Sequence, residues 1–212
     1  MSMSQFGSCP KHNTCDTAAT LIHRIQATRQ AGHISALLMF DISGFFDNLN
    51  PERAVEVLRL KGFPASVRKW TKAFLTQHTA SLKIGNHTSD LFHIQHGTPQ
   101  GLPLSPILSA LYTTLLLEIT DKWVHRDLSL YVDDGAIYAS SATTTAANEA
   151  AREGLNQILV WLDANRLAAD SDKTELITFY PHRLNPHRHG PKITGLWYGR
   201  DRGDHVTNVS AL

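Results

Sequence analysis

A short apolar run in the first quarter of the chain constrains the fold more than any other feature. Residues 35–40 carry no charged side chain, and glycines at positions 32 and 44 bound the run. A continuous apolar segment of this length, without polar alternation, is typical of a central strand that is buried on both faces. We therefore expect a sheet with this strand at its centre, and the strand ends in a carboxylate, Asp41.

The other elements are predicted from periodicity and from turn residues. Apolar positions at helical spacing predict five helices, over residues 16–30, 51–62, 64–77, 107–123 and 148–167. Strands are predicted over 128–132, 135–140 and 175–180, with two more beside Gly85-Asn86. Two glycines and three prolines make 97–106 a predicted loop. The Asp-Gly signal after Asp133 predicts a hairpin turn at Asp133-Asp134.

The order of these elements predicts the fold class. Without the helices before Gly85 the order is strand, helix, strand, strand, helix, strand, which is a split βαβ, ferredoxin-like arrangement. The expected class is α+β, an antiparallel sheet packed on helices. Residues 1–34 are expected to form a helical lead-in and 35–180 the main domain. Residues 181–212 are polar and rich in His, Arg, Gly and Pro, so an irregular tail or a detached hairpin is expected there.

Composition excludes several classes of protein. With 212 residues, 42% of them hydrophobic, the chain can bury a core, and its net charge of +1 predicts no nucleic-acid binding from bulk charge alone. No apolar stretch approaches the ~20 residues of a membrane helix, so we expect an intracellular protein without membrane partners, in the nucleus or the cytoplasm. Cys9 and Cys15 are too few for a disulfide framework, and with His12 they make at best a partial metal site.

Three carboxylates are expected at one edge of the sheet. In a ferredoxin-like sheet the strand that ends at Asp41 lies beside the hairpin of Asp133 and Asp134. The alternative interpretation of Asp133 and Asp134 is a tight hairpin turn, in which aspartates are common. Adjacent carboxylates repel one another, however, and hard cations relieve that repulsion. Such a cluster suits two divalent ions about 4 Å apart with a nucleoside triphosphate, and therefore phosphoryl transfer.

Four motifs, in residues 40–48, 96–106, 131–134 and 172–175, resemble those of the reverse transcriptases of non-LTR (LINE-type) retrotransposons. Residues 40–48 resemble the first palm motif, in which Asp41 is a metal ligand, Ile42 adjoins the nucleotide and Phe46 is the aromatic gate beneath the sugar. Residues 96–106 resemble the second motif. In that motif Gln100 and Gly101 would line the nucleotide pocket, and Pro99 and Ser105 would support the primer and the template. A buried core Phe and a helix-capping loop are the alternative interpretations of these two segments.

Two further motifs follow in the expected order. Tyr131 to Asp134 resemble the Tyr-x-Asp-Asp box, with Tyr131 supporting primer and template and both aspartates acting as catalytic metal ligands. Residues 172–175 resemble the fourth motif, which makes Lys173 the acid that protonates leaving pyrophosphate; an exposed lysine at a helix end is the alternative. Residues 5–7 and 16–19 also resemble the segment that precedes the palm in these enzymes.

The resemblance implies a polymerase palm with a helical finger-palm lead-in and, after residue 180, a tail or the start of a thumb. It implies an RNA-directed DNA polymerase for retrotransposition, which joins dNTPs to a DNA primer on an RNA template with two Mg²⁺ ions, or Mn²⁺. The fingers, the thumb and a possible endonuclease of a longer polyprotein would lie outside this span. The alternatives are an inactive retroelement remnant that binds RNA or metal, and a polymerase of the group II intron maturase type.

Several residues depart from the family pattern. Phe45 stands where the family usually has a small residue, Thr98 and Leu102 vary the second motif, and residues 13–15 replace a more usual Arg-Ser-Thr. None of these departures removes a predicted metal ligand. The few basic residues that could contact nucleic acid are scattered: Arg24, Arg29, Arg68, Lys69, Lys72 and Lys83.

Overall fold

The computed structural model describes residues 14–94, 96–99, 101–181, 192–196 and 208–209. Six helices lie within these ranges: α1 (Thr14–Gln30), α2 (Pro51–Leu60), α3 (Ala65–Thr76), α4 (Leu104–Tyr112), α5 (Thr114–Thr120) and α6 (Thr144–Ala164). The strands in the first half are β1 (Ile34–Ser43), β2 (His78–Ala80), β3 (Lys83–Ile84), β4 (His87–Thr88) and β5 (Phe92–Ile94). Those in the second half are β6 (Arg126–Tyr131), β7 (Asp134–Ser141), β8 (Ala168–Ala169), β9 (Glu175–Phe179), β10 (Lys192–Leu196) and β11 (Asn208–Val209).

The main sheet has the strand order β11-β10-β9-β1-β7-β6, with β8 beside the end of β1. Neighbouring strands are antiparallel. The four strands β9, β1, β7 and β6 have the order of a ferredoxin-like sheet. The helical connection from β1 to β6 crosses β7, and the one from β7 to β9 crosses β1. The predicted α+β class and the predicted split βαβ topology are confirmed.

Strand β1 is central because both of its faces are covered. On one face Ala36, Leu38 and Phe40 join the hydrophobic core that α6 also lines. On the other face the hydroxyl of Ser35 lies 3.4 Å from that of Tyr138, which is 2.5 Å from the hydroxyl of Thr28 on α1. A strand with two covered faces needs apolar or hydrogen-bonded side chains throughout, which is why the run is not alternating.

The second motif departs from its predicted secondary structure. A single helix over 107–123 was expected after a loop over 97–106, but α4 begins at Leu104 and a break at Thr113 separates it from α5. Prolines fit in a first turn, where their missing N–H costs no helical hydrogen bond. The hydroxyls of Ser109 and Thr113 donate to the carbonyls of Ser105 and Ser109, a local competition that bends helices.

The hairpin turn lies one residue earlier than its Asp-Gly signal predicts. Tyr131 and Asp134 form the last pair of β6 and β7, so the two loop residues are Val132 and Asp133. Val132 takes a positive φ of 63°. Gly135 is therefore not a turn residue but pairs with Phe40 in the sheet.

Part of the predicted irregular tail is ordered as sheet. Strand β10 pairs with β9 and extends the main sheet, so 192–196 is not a detached hairpin, while residues 182–191 and 197–207 lie outside the described residues. A strand forms there because β9 would otherwise present an unpaired edge. Within the described ranges, no helix is long and apolar enough to cross a bilayer.

Candidate active site

The ends of β1 and β7 bring the three predicted carboxylates to one edge of the sheet. Asp41 and Asp134 are register partners, and the N–H of Ile42 donates to the carbonyl of Asp133 at 3.1 Å. Ile42 itself is buried. Asp41 and Asp133 are 92 positions apart in the chain, so the strand register makes them neighbours.

Glycine at position 135 maintains that register. A Cβ added there would lie 2.2 Å from Cζ of Phe40, closer than any side chain can approach. The ring of Phe40 therefore covers the bare backbone of β7 one residue from the carboxylates. Close approach, and not backbone freedom, is the reason for glycine at this position.

The electrostatics of the cluster favour a cation. Burial raises the pKa of the Asp133 carboxyl, and the neighbouring charges of Asp134 and Asp41 raise it further. Lys173 supplies a positive charge from the loop before β9, with Nζ 2.5 Å from Oδ2 of Asp41. That hydrogen bond raises the pKa of the Lys173 amine, so it carries its proton at neutral pH.

Asp170, which was not predicted from the sequence, contacts both Asp41 and Lys173. Its N–H donates to the carbonyl of Asp41 at 2.8 Å, and its Oδ2 lies 3.9 Å from Nζ of Lys173. Its Oδ1 accepts the N–H of Asp172 at 3.0 Å, so the side chain also closes the turn that carries the lysine. An Asp that accepts from the N–H two residues later is a recognisable turn signature and could have indicated this role.

Phe46 lies on the turn after β1, beside an aromatic row that enters the core. Its ring packs edge-on against Phe45 at 5.9 Å, and Phe45 packs in the same way on Tyr112 at 6.1 Å. Tyr112 contacts Trp161 of α6 at 6.3 Å. Phe45 is fully buried and Phe46 only half-buried. The alternative interpretation of this segment, a buried core Phe, therefore fits Phe45, and the ring of Phe46 remains accessible.

The loop of the second motif is hydrogen-bonded to this turn. The N–H of Gly97 donates to the carbonyl of Leu49 at 3.0 Å, and the N–H of Thr98 to that of Phe46 at 2.8 Å. A Cβ at Gly97 would lie 2.6 Å from the Asp47 carbonyl oxygen, so only glycine permits this approach.

The other predicted site residues lie around that loop. Pro99 and Gly101 are exposed, and Gly101 takes a left-handed φ of 88°. Ser105 is fully buried and donates to the carbonyl of Pro99 at 2.7 Å, so it supports the loop from inside. Tyr131 is half-buried opposite Asp134, and Gln100 lies outside the described residues.

The donor set suits a hard divalent cation, because it consists of carboxylates without sulfur or imidazole. Within the part of the chain that the structure describes, however, no group of three or more His, Cys, Asp or Glu side chains is arranged to hold a metal ion. At Asp41 the ammonium of Lys173 lies against one carboxylate oxygen. Cys15 is exposed with a free thiol, whereas Cys9 and His12 lie outside the described residues.

Comparisons with known structures support the fold. The chain superposes on apo telomerase of Candida tropicalis with a TM-score of 0.64 and 14% identity, covering 91% of this chain and 39% of that one. It also superposes on telomerase of Candida albicans in complex with a telomeric RNA fragment, with a TM-score of 0.61 and 13% identity over 87% of this chain and 33% of that one. At these identities the likeness concerns the fold alone.

Sequence comparisons identify the family. The chain is 23% identical, over 97% of its length, to the RNA-directed DNA polymerase from mobile element jockey of Drosophila melanogaster, of which it covers 24%. It is 26% identical, over 42% of its length, to the Pol polyprotein from retrotransposable element R2 of Popillia japonica, of which it covers 14%. The resemblance to non-LTR retrotransposon enzymes is thereby confirmed. Since the family model described as "Reverse transcriptase (RNA-dependent DNA polymerase)" matches residues 1–200, the chain belongs to the reverse transcriptase family.

Proposed function

We propose that this chain is the palm portion of an RNA-directed DNA polymerase, which joins a dNTP to the 3′ end of a DNA primer on an RNA template. The observation that carries the proposal is the sheet edge where Asp41, Asp133 and Asp134 are neighbours, with the ammonium of Lys173 on Asp41. A cation offsets the repulsion between like charges that lie close together in a partly buried place. Membership of the reverse transcriptase family supports the same reaction.

Asp41, Asp133 and Asp134 would hold two Mg²⁺ ions, or Mn²⁺. When bound, such a pair polarises the α-phosphate and stabilises both the attacking and the leaving oxygen of an in-line displacement. Asp133 fits this role because burial and its two neighbours raise its pKa, so it gains from a nearby cation.

The remaining residues position the substrate and transfer a proton. Nζ of Lys173 is protonated and its side chain is more than half exposed, so it can donate a proton to an oxygen of the departing pyrophosphate. The half-buried ring of Phe46 would lie beneath the sugar and exclude a 2′-hydroxyl by contact, and Gly101 and Gln100 would bind the same nucleotide. Template pairing would select the base, while the protein orients the reacting groups.

Primer extension on an RNA template tests the proposal. The chain is compared with its Asp133→Asn/Asp134→Asn variant, using dNTPs with Mg²⁺ or Mn²⁺. The matched control, Asp90→Asn/Asp163→Asn, makes the same charge change at two exposed carboxylates. We expect metal-dependent extension by the parent and the control and none by the site variant. Equal extension by the site variant would contradict the assignment of these carboxylates.

Metal binding gives a readout that does not require catalysis. Mg²⁺ or Mn²⁺ is expected to raise the unfolding temperature of the parent and of the control variant, but not that of the site variant. If folded parent protein shows neither extension nor a metal-dependent shift, the remnant interpretation replaces the polymerase.

A further inference from the structure

A pair of buried hydroxyls lies behind the loop of the second motif. Thr98 is 3% exposed and Ser105 is 0% exposed, and their hydroxyl oxygens are 2.6 Å apart. The Ser105 hydroxyl also donates to the carbonyl of Pro99 at 2.7 Å. Because Ser105 has one hydroxyl proton and uses it there, Thr98 must be the donor in the pair.

The same threonine also binds the turn of the aromatic gate. Its N–H donates to the carbonyl of Phe46 at 2.8 Å, while the neighbouring N–H of Gly97 donates to that of Leu49. Thr98 therefore contacts the turn that carries Phe46 through its backbone N–H and α4 through its hydroxyl, and the exposed Pro99 follows it directly in the chain. A buried hydroxyl left without a partner is costly, so this arrangement has little freedom to shift.

We propose that the Thr98–Ser105 hydroxyl pair positions residues 97–99 against the turn that carries Phe46, and so determines how strictly the sugar of the incoming nucleotide is checked. Thr98 is a positioning residue, because it acts through Phe46 and through the loop. This proposal rests on the proposed function. Thr98 is one of the positions at which the chain departs from the family pattern.

The test compares Thr98→Val, which keeps the shape and removes the hydroxyl, with Thr98→Ser, which keeps the hydroxyl. The control is Ser109→Ala, which also removes a buried hydroxyl from α4, but one that bonds only to carbonyls of α4 itself. Single-nucleotide extension measures kcat/KM for a dNTP and for the matching rNTP. A purely structural defect would lower both values, whereas a displaced gate changes their ratio.

For Thr98→Val we expect the dNTP-over-rNTP ratio to fall by roughly tenfold, the loss typical of one buried hydrogen bond to a neutral partner. Thr98→Ser and Ser109→Ala should keep the parental ratio. An unchanged ratio in folded Thr98→Val protein would overturn the proposal.

Amide hydrogen exchange provides a test that is independent of polymerase activity. In Thr98→Val the amide of residue 98, which donates to the carbonyl of Phe46, and that of Gly97, which donates to the carbonyl of Leu49, should exchange faster, while the amides of the β1 core keep their protection. If the parent does not extend primers, amide exchange alone decides whether the hydroxyl pair positions the loop, and the metal-dependent shift in unfolding temperature decides the proposed function separately. Unchanged exchange at both amides would overturn that part as well.

Discussion

Asp41 is the residue at which most contacts of the site meet. It pairs with Asp134 across the strands, its carbonyl accepts from Asp170, and its carboxylate holds the ammonium of Lys173. The lysine side chain is 63% exposed and the Asp41 side chain 15% exposed. Because the lysine is largely exposed, solvent screens this ion pair. It is therefore weak enough to open when a stronger ligand of either group arrives.

The proposed role of Phe46 as an aromatic gate leads to a prediction on sugar selection. Replacement of Phe46 by Ala removes the ring that would contact a 2′-hydroxyl, so ribonucleotide incorporation should rise by at least about tenfold relative to dNTP incorporation. Paired single-nucleotide extension assays measure this ratio. Phe92→Ala, which truncates an exposed ring on β5, is the control. Unchanged discrimination in an active Phe46→Ala protein would show that another group checks the sugar.

The contact between Gly135 and Phe40 leads to a prediction on stability. Because an added Cβ would meet the ring at 2.2 Å, Gly135→Ala should destabilise the chain by about 1–3 kcal/mol, the cost of overpacking. Phe40→Leu removes the aromatic ring, so the same glycine change should cost less in that background. Urea unfolding of the four proteins measures the coupling. Additive costs would contradict the contact.

At the scale of elements, the helices are held to the site by the aromatic row. Tyr112 at the end of α4 contacts Phe45 on one side and Trp161 of α6 on the other. A large residue at position 45 thus replaces the small one usual in the family and fills the space between α4 and the first motif. The half-buried Phe46 is thereby supported by a chain of rings that reaches α6.

Burial of Tyr112 makes stability depend on alkaline pH. Burial raises the pKa of its hydroxyl to about 12, above the ordinary value of 10.0. The unfolded chain therefore loses this proton first, and stability falls as pH rises from about 10 to about 12. At pH 11 the loss should be about 1 kcal/mol. Urea unfolding of parent and Tyr112→Phe from pH 8 to 11 measures it, and equal losses in both would refute it.

An element could be predicted from the sequence when the residues that determine it lie close together in the chain. The capping side chain of Asn50, which accepts from the N–H groups of Glu52 and Arg53, and the proline after it are adjacent in the chain, so α2 was predictable. The break at Thr113 was not, because it involves hydroxyls that bond back to the helix carbonyls instead of a glycine or proline. The turn after Tyr131 was predicted one residue too late, because Gly135 is required by the close approach of Phe40, which is 95 positions away, and not by the turn.

At the scale of the whole molecule, the predicted topology was sufficient to bring the carboxylates together but not to predict what surrounds them. Strand order follows from the sequence of elements, and register then makes Asp41 and Asp134 neighbours. The contacts of Asp170 and Thr98 depend on loops whose backbone has no periodic pattern. Such loops are specified by tertiary hydrogen bonds, which a single sequence does not display.

The location of the core predicts which parts of the chain are needed for folding. Every residue of the hydrophobic core cluster that the structure describes lies between Ile34 and Leu176. A chain that ends after Pro181 keeps β9 and this core, and loses only strands β10 and β11 from the described sheet. It should therefore unfold cooperatively in urea, at a cost of no more than about 2 kcal/mol, although its newly exposed β9 edge should favour self-association.

A chain that ends after Thr174 is the matched control for that truncation. It lacks β9, including Leu176, which is buried and pairs with Leu38 in β1. Since β1 would then be an uncovered edge beside the carboxylates, we expect no cooperative transition from this shorter chain. Loss of cooperativity already in the chain that ends after Pro181 would mean that β10 belongs to the folding unit, because β9 could not then hold its place on β1 without a strand on its other side.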